Sequence, residues 1–185
     1  MIMENHIYIE SGLQIDMSGF KHFRFETCAG HKKLSNIKEI DFGWWDHHQQ
    51  CLMLVELKGL HKVCPEKRLE KATALIENLW KKTIDVWLML CAVWLDSRGG
   101  DEIKTCFPAE IHNKCHVRIF HLINCDRSFE MHLPFLNTKL KHKLDGYHRL
   151  FDNILEYRII SSRQAETKLF IDKETNRAFI KIIKV

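Results

Sequence analysis

The stretch I-D-F-G-W-W-D-H-H-Q-Q-C-L-M-L-V-E-L-K, residues Ile40–Lys58, determines how we expect the rest of the chain to fold. Its first segment, Ile40–Trp45, carries aromatic and β-branched residues, and its second, Cys51–Leu57, is an apolar run of strand length. The polar residues 46–50 between them are typical of a turn. The stretch therefore predicts a β-hairpin whose second strand is buried on both faces, at the middle of a sheet.

Charged residues follow directly on the apolar part of the second strand. Glu56 and Lys58 share one face of it, and a charge at the edge of a core is costly unless it is paired or bound to a metal. If Asp46 pairs with Cys51 across the loop, the antiparallel register places Asp41 opposite Glu56, with the two side chains about 5 Å apart. Mg²⁺ is typically held by one or two carboxylates together with waters and phosphate oxygens. The pattern therefore predicts a metal site that faces a phosphate.

Asp41, followed fifteen residues later by Glu56-Leu57-Lys58 at the end of a hydrophobic strand, resembles the signature of the PD-(D/E)XK nuclease superfamily. This superfamily has the restriction-endonuclease-like fold. The resemblance implies that Asp41 and Glu56 bind Mg²⁺ (or Mn²⁺), with the main-chain carbonyl of Leu57 as a further ligand. It also implies that Lys58 is the catalytic amine that orients or deprotonates the attacking water.

The family usually has a further acid on a helix before the hairpin, and the sequence leaves the identity of this acid open. Ile40 occupies the position of the Pro for which the family is named. The candidate acids lie in a region without a clear helical pattern: Glu10, Asp16, Glu26 and Glu39. An E-x-K triplet alone is unspecific, so the hairpin pattern and the buried strand carry the prediction. The alternative places Glu56 and Lys58 at the solvated end of an ordinary strand.

The composition predicts an ordinary globular chain. At 185 residues, the chain is long enough for one domain, residues 1–185, with an independent core. The formal net charge of +4 is compatible with nucleic acid but lower than we expect of a DNA-coating protein. Seven irregularly spaced Cys make a disulfide framework unexpected and favour a reducing, cytoplasmic setting. No signal-peptide pattern opens the sequence, and no apolar run is long enough to span a membrane.

Outside the hairpin, the hydrophobic pattern predicts an α/β (or α+β) fold. A short hairpin turned at Ser11-Gly12 opens the chain, and a long helix runs from about Pro65 through the apolar segment Ile84–Leu95 to residues 97–100. A loop at residues 101–114, a strand at residues 115–125, a helix from Pro134 and strands near residues 157–160, 168–171 and 178–185 follow. This order predicts a mixed central β-sheet flanked by helices.

Four Lys residues are candidate contacts to a nucleic-acid backbone. Lys81 and Lys82 lie on the helix after the E-x-K triplet, and in the family that helix often lends a polar residue to the active site. Lys139 and Lys143 lie in the basic cluster of the second long helix, which is the best candidate for a surface that contacts phosphates. For each of the four, the alternative is a solvated cationic helix face.

Cysteine and histidine offer two weaker alternatives. Cys28 and His31 would form a thiol nucleophile and its base, although nothing in the sequence positions them. A zinc site would use Cys106, His112, Cys115 and His116, whose spacing is irregular and lacks a C-x-x-C pair.

The leading hypothesis is a Mg²⁺-dependent endonuclease that hydrolyses phosphodiester bonds, with DNA as the expected substrate. The main alternative is a catalytically inactive nuclease-like fold that serves as an interaction or nucleic-acid-binding subunit. We expect DNA as the partner, no membrane contact, and assembly as a homodimer or as a subunit of a larger complex.

Overall fold

The structure, a computed structural model, describes residues 6–17, 22–60, 68–150, 154–165, 171–172, 177–178 and 180–182. The strands are β1 (Ile7–Glu10), β2 (Leu13–Asp16), β3 (His22–Phe23), β4 (Phe42–Asp46), β5 (Cys51–Gly59), β6 (His116–Asn124), β7 (Leu155–Ser161), β8 (Ile171–Asp172), β9 (Arg177–Ala178) and β10 (Ile180–Ile182). The helices are α1 (Arg68–Trp94), α2 (Arg98–Lys104), α3 (Arg127–Glu130), α4 (Leu133–Leu150) and α5 (Ser162–Gln164).

The central sheet has five strands in the order β3-β4-β5-β6-β7. The pairs β3/β4 and β4/β5 are antiparallel, whereas β5/β6 and β6/β7 are parallel. The two parallel pairs require crossover connections, which α1 and α2 supply between β5 and β6 and which α3 and α4 supply between β6 and β7. These features confirm the predicted α/β class with a mixed central sheet flanked by helices.

Strand β5 is buried on both faces, as the sequence predicts. Met53 and Val55 pack with residues of β2, which belongs to a smaller sheet in the order β1-β2-β10. Leu52 and Leu54, on the opposite face, pack with residues of α1. The described elements thus form a three-layer arrangement of helices, central sheet and small sheet, in which β5 is the middle strand.

The hairpin β4/β5 has the predicted register, since Asp46 pairs with Cys51 and Phe42 pairs with Val55. Asp46 Oδ1 accepts hydrogen bonds from the main-chain N–H groups of His48 and Gln49, at 2.9 and 3.0 Å. A side chain that binds its own turn in this way stabilises the reversal. The turn therefore fixes which residues of β4 and β5 face each other.

The region after α1 differs from the prediction. We expected the helix to end at residues 97–100 and a loop to follow, but α2 and a 3₁₀ turn at Ala109–His112 occupy much of that loop. Ser97 is the N-cap of α2, because its Oγ accepts a hydrogen bond from Gly100 N at 3.0 Å. Gly100 lies so close to α1 that a Cβ would collide with the main-chain oxygen of Ala92. Ser97 and Gly100 therefore belong to the beginning of α2: Ser97 caps the helix, and Gly100 lets it pack closely against α1.

A disulfide joins Cys28 to Cys106, with the two Cα atoms 5.5 Å apart and a sequence separation of 78. The sequence pattern does not indicate this bridge, because a bond between residues so distant in the chain leaves no local spacing pattern. The bond also removes the two sulfurs from the alternative sites, since Cys28 has no free thiolate to act as a nucleophile and Cys106 has none to bind zinc. The reducing, cytoplasmic setting stays a prediction.

The other predicted elements are largely confirmed. Strands β6 and β7 lie within two residues of the predicted bounds, and the β1/β2 hairpin turns at Ser11-Gly12. In α4, Leu136, Leu140 and Leu144 are buried as expected, whereas Tyr147 is exposed. The predicted beginning of α1 near Pro65 and the strand residues 168–170 and 183–185 lie outside the described residues. Among the described residues, no helix is long and apolar enough to cross a membrane.

Candidate active site

Glu56 lies near the end of β5, on the face that carries Leu52 and Leu54. Alternation along the strand directs it toward α1, into a layer that is otherwise apolar. Its side chain is 0% exposed. A carboxylate at such a position is costly unless cations or donors compensate for it, so its contacts decide what the site can do.

Two ammonium groups flank the Glu56 carboxylate. Lys82 Nζ, from α1, donates to Oε2 at 2.6 Å, and Lys58 Nζ, from β5, lies 2.8 Å from Oε1. Burial raises the pKa of Glu56, the negative charge of Asp41 raises it further, and the two ammonium groups act in the opposite direction. The carboxylate is thus buried, and each of its oxygens lies beside an ammonium group.

Asp41 lies directly before β4, at the position that the hairpin register places opposite Glu56. Its Oδ2 accepts a hydrogen bond from the main-chain N–H of Leu57 at 2.7 Å, so the side chain continues the pairing where the strand ends. Its other oxygen, Oδ1, is 3.9 Å from Lys82 Nζ. The ammonium of Lys82 therefore lies between the two predicted metal ligands, Asp41 and Glu56.

The main-chain carbonyl of Leu57 is the third predicted ligand. In an antiparallel ladder, the N–H and the C=O of one residue point to the same neighbouring strand. Since the N–H of Leu57 points to Asp41, its carbonyl oxygen is directed to the same side. The structure therefore brings Asp41, Glu56 and the Leu57 carbonyl to one end of the hairpin.

Of the four candidate upstream acids, Glu10 has an electrostatic interaction with Asp41 and Lys58 of this site. Partial burial raises the pKa of Glu10, and the nearby Asp41 carboxylate raises it further. Glu26 instead pairs with Arg24 at 2.8 Å, and Glu39 pairs with His31 at 3.1 Å. The fourth candidate, Asp16, is buried at the end of β2. Glu10 ends a strand rather than lying on a helix, so the family's helical acid has no direct counterpart among the described residues.

Lys58 is held as a cation. Partial burial alone would lower its pKa, but the charge of Glu56 and a hydrogen bond to it, with Asp41 and Glu10, outweigh this effect and raise the pKa. A lysine with a raised pKa is protonated at neutral pH and cannot accept a proton. In this state Lys58 is suited to orienting an anion or a water, and not to deprotonating it.

His121 and Thr83 are buried polar residues at the site that the sequence analysis missed. His121 is the register partner of Glu56 on β6, and its side chain is 0% exposed. Its Nε2 lies 3.0 Å from Thr83 Oγ1, which itself donates to the main-chain oxygen of Leu79 at 2.8 Å. Because the hydroxyl proton of Thr83 is used in that bond, His121 Nε2–H must be the donor to Thr83. The sequence signal for His121 is a lone His within an apolar strand. Sequence alone does not show whether such a His is functional or simply part of the core.

Three of the four lysines that were predicted to contact phosphate have partners other than Asp41 and Glu56. Lys81 pairs with Asp85 at 2.9 Å, and Lys143 pairs with Glu77 at 2.8 Å. Lys139 lies over the ring of Phe135, with its Nζ 5.3 Å from the ring centroid. Of the four, only Lys82 contacts the acids. We therefore leave Lys81 out of the candidate site, and a role of Lys139 and Lys143 in binding nucleic acid stays a prediction.

Asp41, Glu56 and the Leu57 carbonyl can supply some, but not all, of the ligands of a hard divalent cation. Among the described residues, no group of three or more His, Cys, Asp and Glu side chains is arranged to hold a metal ion. Mg²⁺ does not need such a group, because it is commonly bound by one or two carboxylates and keeps several waters or phosphate oxygens. The carboxylates of Glu56 and Asp41 and the Leu57 carbonyl are ligands of that kind.

Comparison with known proteins identifies no relative from which a function can be transferred. No family model, no curated protein and no solved structure matches the chain. Membership of the PD-(D/E)XK superfamily therefore stays a prediction from the motif. The functional proposal depends on the geometry of the Asp41–Glu56 site.

Proposed function

We propose that this protein is a Mg²⁺- or Mn²⁺-dependent nuclease of the PD-(D/E)XK type, which hydrolyses phosphodiester bonds in DNA. The observation that carries the proposal is the fully buried Glu56 carboxylate, flanked by Lys58 and Lys82 next to Asp41 at the end of the hairpin. A buried ion pair adds little stability compared with apolar residues of similar volume. A fold that keeps such a group within an apolar layer has a reason other than stability, and binding a cation is the simplest one.

Each residue has a role in this proposal. Asp41, Glu56 and the carbonyl of Leu57 would hold the metal, and Glu10 would add negative charge beside it. When bound, the metal supplies Lewis acidity to a phosphate oxygen and to the attacking water. Lys58, held as an ammonium, would orient the water or bind a non-bridging oxygen as negative charge grows on the phosphate. The water oxygen would bond to phosphorus as the bond to the leaving sugar oxygen breaks. The water would give a proton to solvent, and the leaving oxygen would take one from solvent.

One observation favours the alternative, an inactive nuclease-like subunit that binds nucleic acid or a partner. Lys82 donates to Glu56 at 2.6 Å, so the buried carboxylate already has a protein cation. A site in which lysine permanently replaces the metal would keep the fold and lose the chemistry. Such a protein would bind DNA through its basic residues without a metal requirement.

Calorimetric titration with Mn²⁺ tests the proposal before any substrate is known. We expect the parent protein to bind Mn²⁺, and Asp41→Asn and Glu56→Gln to lose binding, because each change removes a charged ligand and nearly preserves the volume. Glu26→Gln is the matched control, since Glu26 is an exposed acid that pairs with Arg24. This variant should bind Mn²⁺ like the parent protein.

A cleavage assay with plasmid and short duplex DNA then separates the two candidates. The nuclease proposal predicts metal-dependent cleavage that falls by at least about 10²-fold in Glu56→Gln, the size of effect expected when one stabilising group is removed. Absence of Mn²⁺ binding in the parent protein, with or without DNA, would contradict the nuclease. Metal-independent DNA binding would then favour the inactive subunit. Assembly as a homodimer or within a larger complex stays a prediction.

A further inference from the structure

Lys82 lies where a cation would be expected between the two acids. Its Nζ is 2.6 Å from Glu56 Oε2 and 3.9 Å from Asp41 Oδ1, and 12% of its side chain is exposed. Mg²⁺ shared by these two carboxylates would be about 2.1 Å from an oxygen of each. At such distances, the ammonium and the metal would compete for the same oxygens and repel each other strongly. Metal binding between Asp41 and Glu56 therefore requires the ammonium to move.

The main chain at Lys82 is held in place while its side chain is able to move. The next residue, Thr83, is fully buried and contacts His121 Nε2 at 3.0 Å, which fixes α1 to β6 at this point. The lysine stem has four carbons and many rotamers, and its ammonium is a point charge that can change partners. A change of partner by Lys82 thus needs a side-chain rotation and no shift of the helix.

A displaced Lys82 ammonium needs another anion. Its side chain is largely buried, so an unpaired charge at this position would be poorly solvated and costly. The phosphate that completes the coordination shell of a bound Mg²⁺ is an anion at the same site. Lysine is a common phosphate ligand, so the substrate phosphate can pair with the Lys82 ammonium once the metal has displaced it from the two acids.

We propose that Lys82 is a resident counterion that changes partners: its ammonium pairs with Asp41 and Glu56 in the metal-free protein and with the substrate phosphate when metal is bound. This inference rests on the nuclease function proposed above. It makes metal and nucleic acid cooperative ligands, because the metal releases the cation that binds phosphate. By thermodynamic linkage, each ligand raises the affinity of the other by the same factor.

Titration of Mn²⁺ into the parent, Lys82→Met and Lys81→Met proteins, with and without a short DNA duplex, tests this coupling. Lys81 is the matched control because it lies next to Lys82 on α1 and pairs with Asp85. Without DNA, Lys82→Met should bind Mn²⁺ on the order of tenfold more tightly than the parent protein, the usual size of such coupling. DNA should raise the Mn²⁺ affinity of the parent and of Lys81→Met by a similar factor. It should raise that of Lys82→Met by a smaller factor, because the phosphate still binds the metal but no longer pairs with the Lys82 ammonium.

The outcomes distinguish this inference from the function on which it rests. Equal Mn²⁺ affinity in the parent protein and Lys82→Met would overturn the counterion role and leave the nuclease proposal standing. Binding to Lys82→Met but not to the parent, even with DNA, would show that Lys82 stays on the two acids, which overturns the change of partners and contradicts the nuclease. Absence of Mn²⁺ binding to all three proteins would overturn both.

Amine acylation of the unmodified protein, read at single residues by tandem mass spectrometry, tests the inference even if Lys82→Met does not fold. Lys82 should react slowly without metal, several-fold faster at saturating Mn²⁺, and slowly again when DNA is added. Lys81, whose side chain is 44% exposed, is the internal control and should react at a rate that does not depend on Mn²⁺. An unchanged rate at Lys82 in protein that binds Mn²⁺ would overturn the proposal.

Discussion

The two ends of the central sheet place charged residues in opposite environments. At one end, Arg118 of β6 pairs with its register partner Glu156 of β7 at 3.0 Å, and their side chains are 32% and 51% exposed. At the other end, Glu56 of β5 lies beside its register partner His121 of β6, and both are 0% exposed. Exposed ion pairs change stability little, whereas each buried charge costs several kcal/mol before its partners compensate.

The difference separates a structural use of charge from a functional one. A sheet that needed only stability would have an apolar residue at position 56, because Leu52 and Leu54 line the same face against α1. Instead, Glu56 is compensated by Lys58 and Lys82, a costly solution that apolar residues would make unnecessary. Groups that break the local pattern in this way tend to mark functional sites. The Arg118–Glu156 pair breaks no such pattern.

The largest expected effect comes from removing one partner of the buried pair. Glu56→Leu should lower the free energy of unfolding by about 3–5 kcal/mol, because it leaves the largely buried Lys82 ammonium with only the more distant Asp41 carboxylate, 3.9 Å away. Adding Lys82→Met should restore at least half of the loss, since both residues then match the apolar layer. Urea denaturation of the single and double variants measures both values. A loss of stability below about 1 kcal/mol in Glu56→Leu would mean that the buried ion pair contributes no more to stability than an exposed pair such as Arg118–Glu156.

A smaller effect should appear as pH falls, through His121. Burial lowers its pKa from 6.5 to about 3, and the charges of Lys82 and Lys58 contribute. Below pH 6.5 the unfolded chain therefore binds a proton that the folded protein does not, and stability falls by up to about 1.4 kcal/mol per pH unit. Glu56, with its raised pKa, acts in the opposite direction, so the effect must be isolated by substitution.

The variant His121→Gln isolates the effect of His121 on the pH dependence of stability, because the Gln amide still donates to Thr83 and does not titrate. Between pH 7 and pH 5, the parent protein should lose about 2 kcal/mol more stability than this variant. His132→Gln, at an exposed position, is the control and should lose as much stability as the parent. Urea denaturation at several pH values gives the comparison, and equal losses in parent and His121→Gln would show that His121 is protonated in the folded state.

The smallest effect is expected at the exposed end of the sheet. A double-mutant cycle of Arg118→Ala and Glu156→Ala should give a coupling energy below about 1 kcal/mol, which decreases further in 1 M salt. The reason is that both side chains are solvated whether or not they pair. A salt-independent coupling above about 2 kcal/mol would instead place this pair in the same energetic class as the Glu56 cluster.

Much of the fold is predictable because the relevant signals are local. Alternation along β5, the polar turn and the helical spacing in α1 involve residues that are close in sequence. The antiparallel register then follows from the length of one short loop, so the alignment of Asp41 with Glu56 is predictable from the residues alone. The prediction for the region of α2 was wrong because Ser97 and Gly100 are typical of both the beginning and the end of a helix.

Local sequence pattern therefore specifies the hairpin, its register and the face shared by Glu56 and Lys58, because strand periodicity and a short turn leave little freedom. Tertiary packing instead selects Lys82 and not Lys81 as the contact to the acids, since neighbouring helix residues point about 100° apart and the placement of the helix chooses between them. The Cys28–Cys106 bond likewise depends on packing. It joins residues far apart in sequence, and no local pattern specifies such a contact.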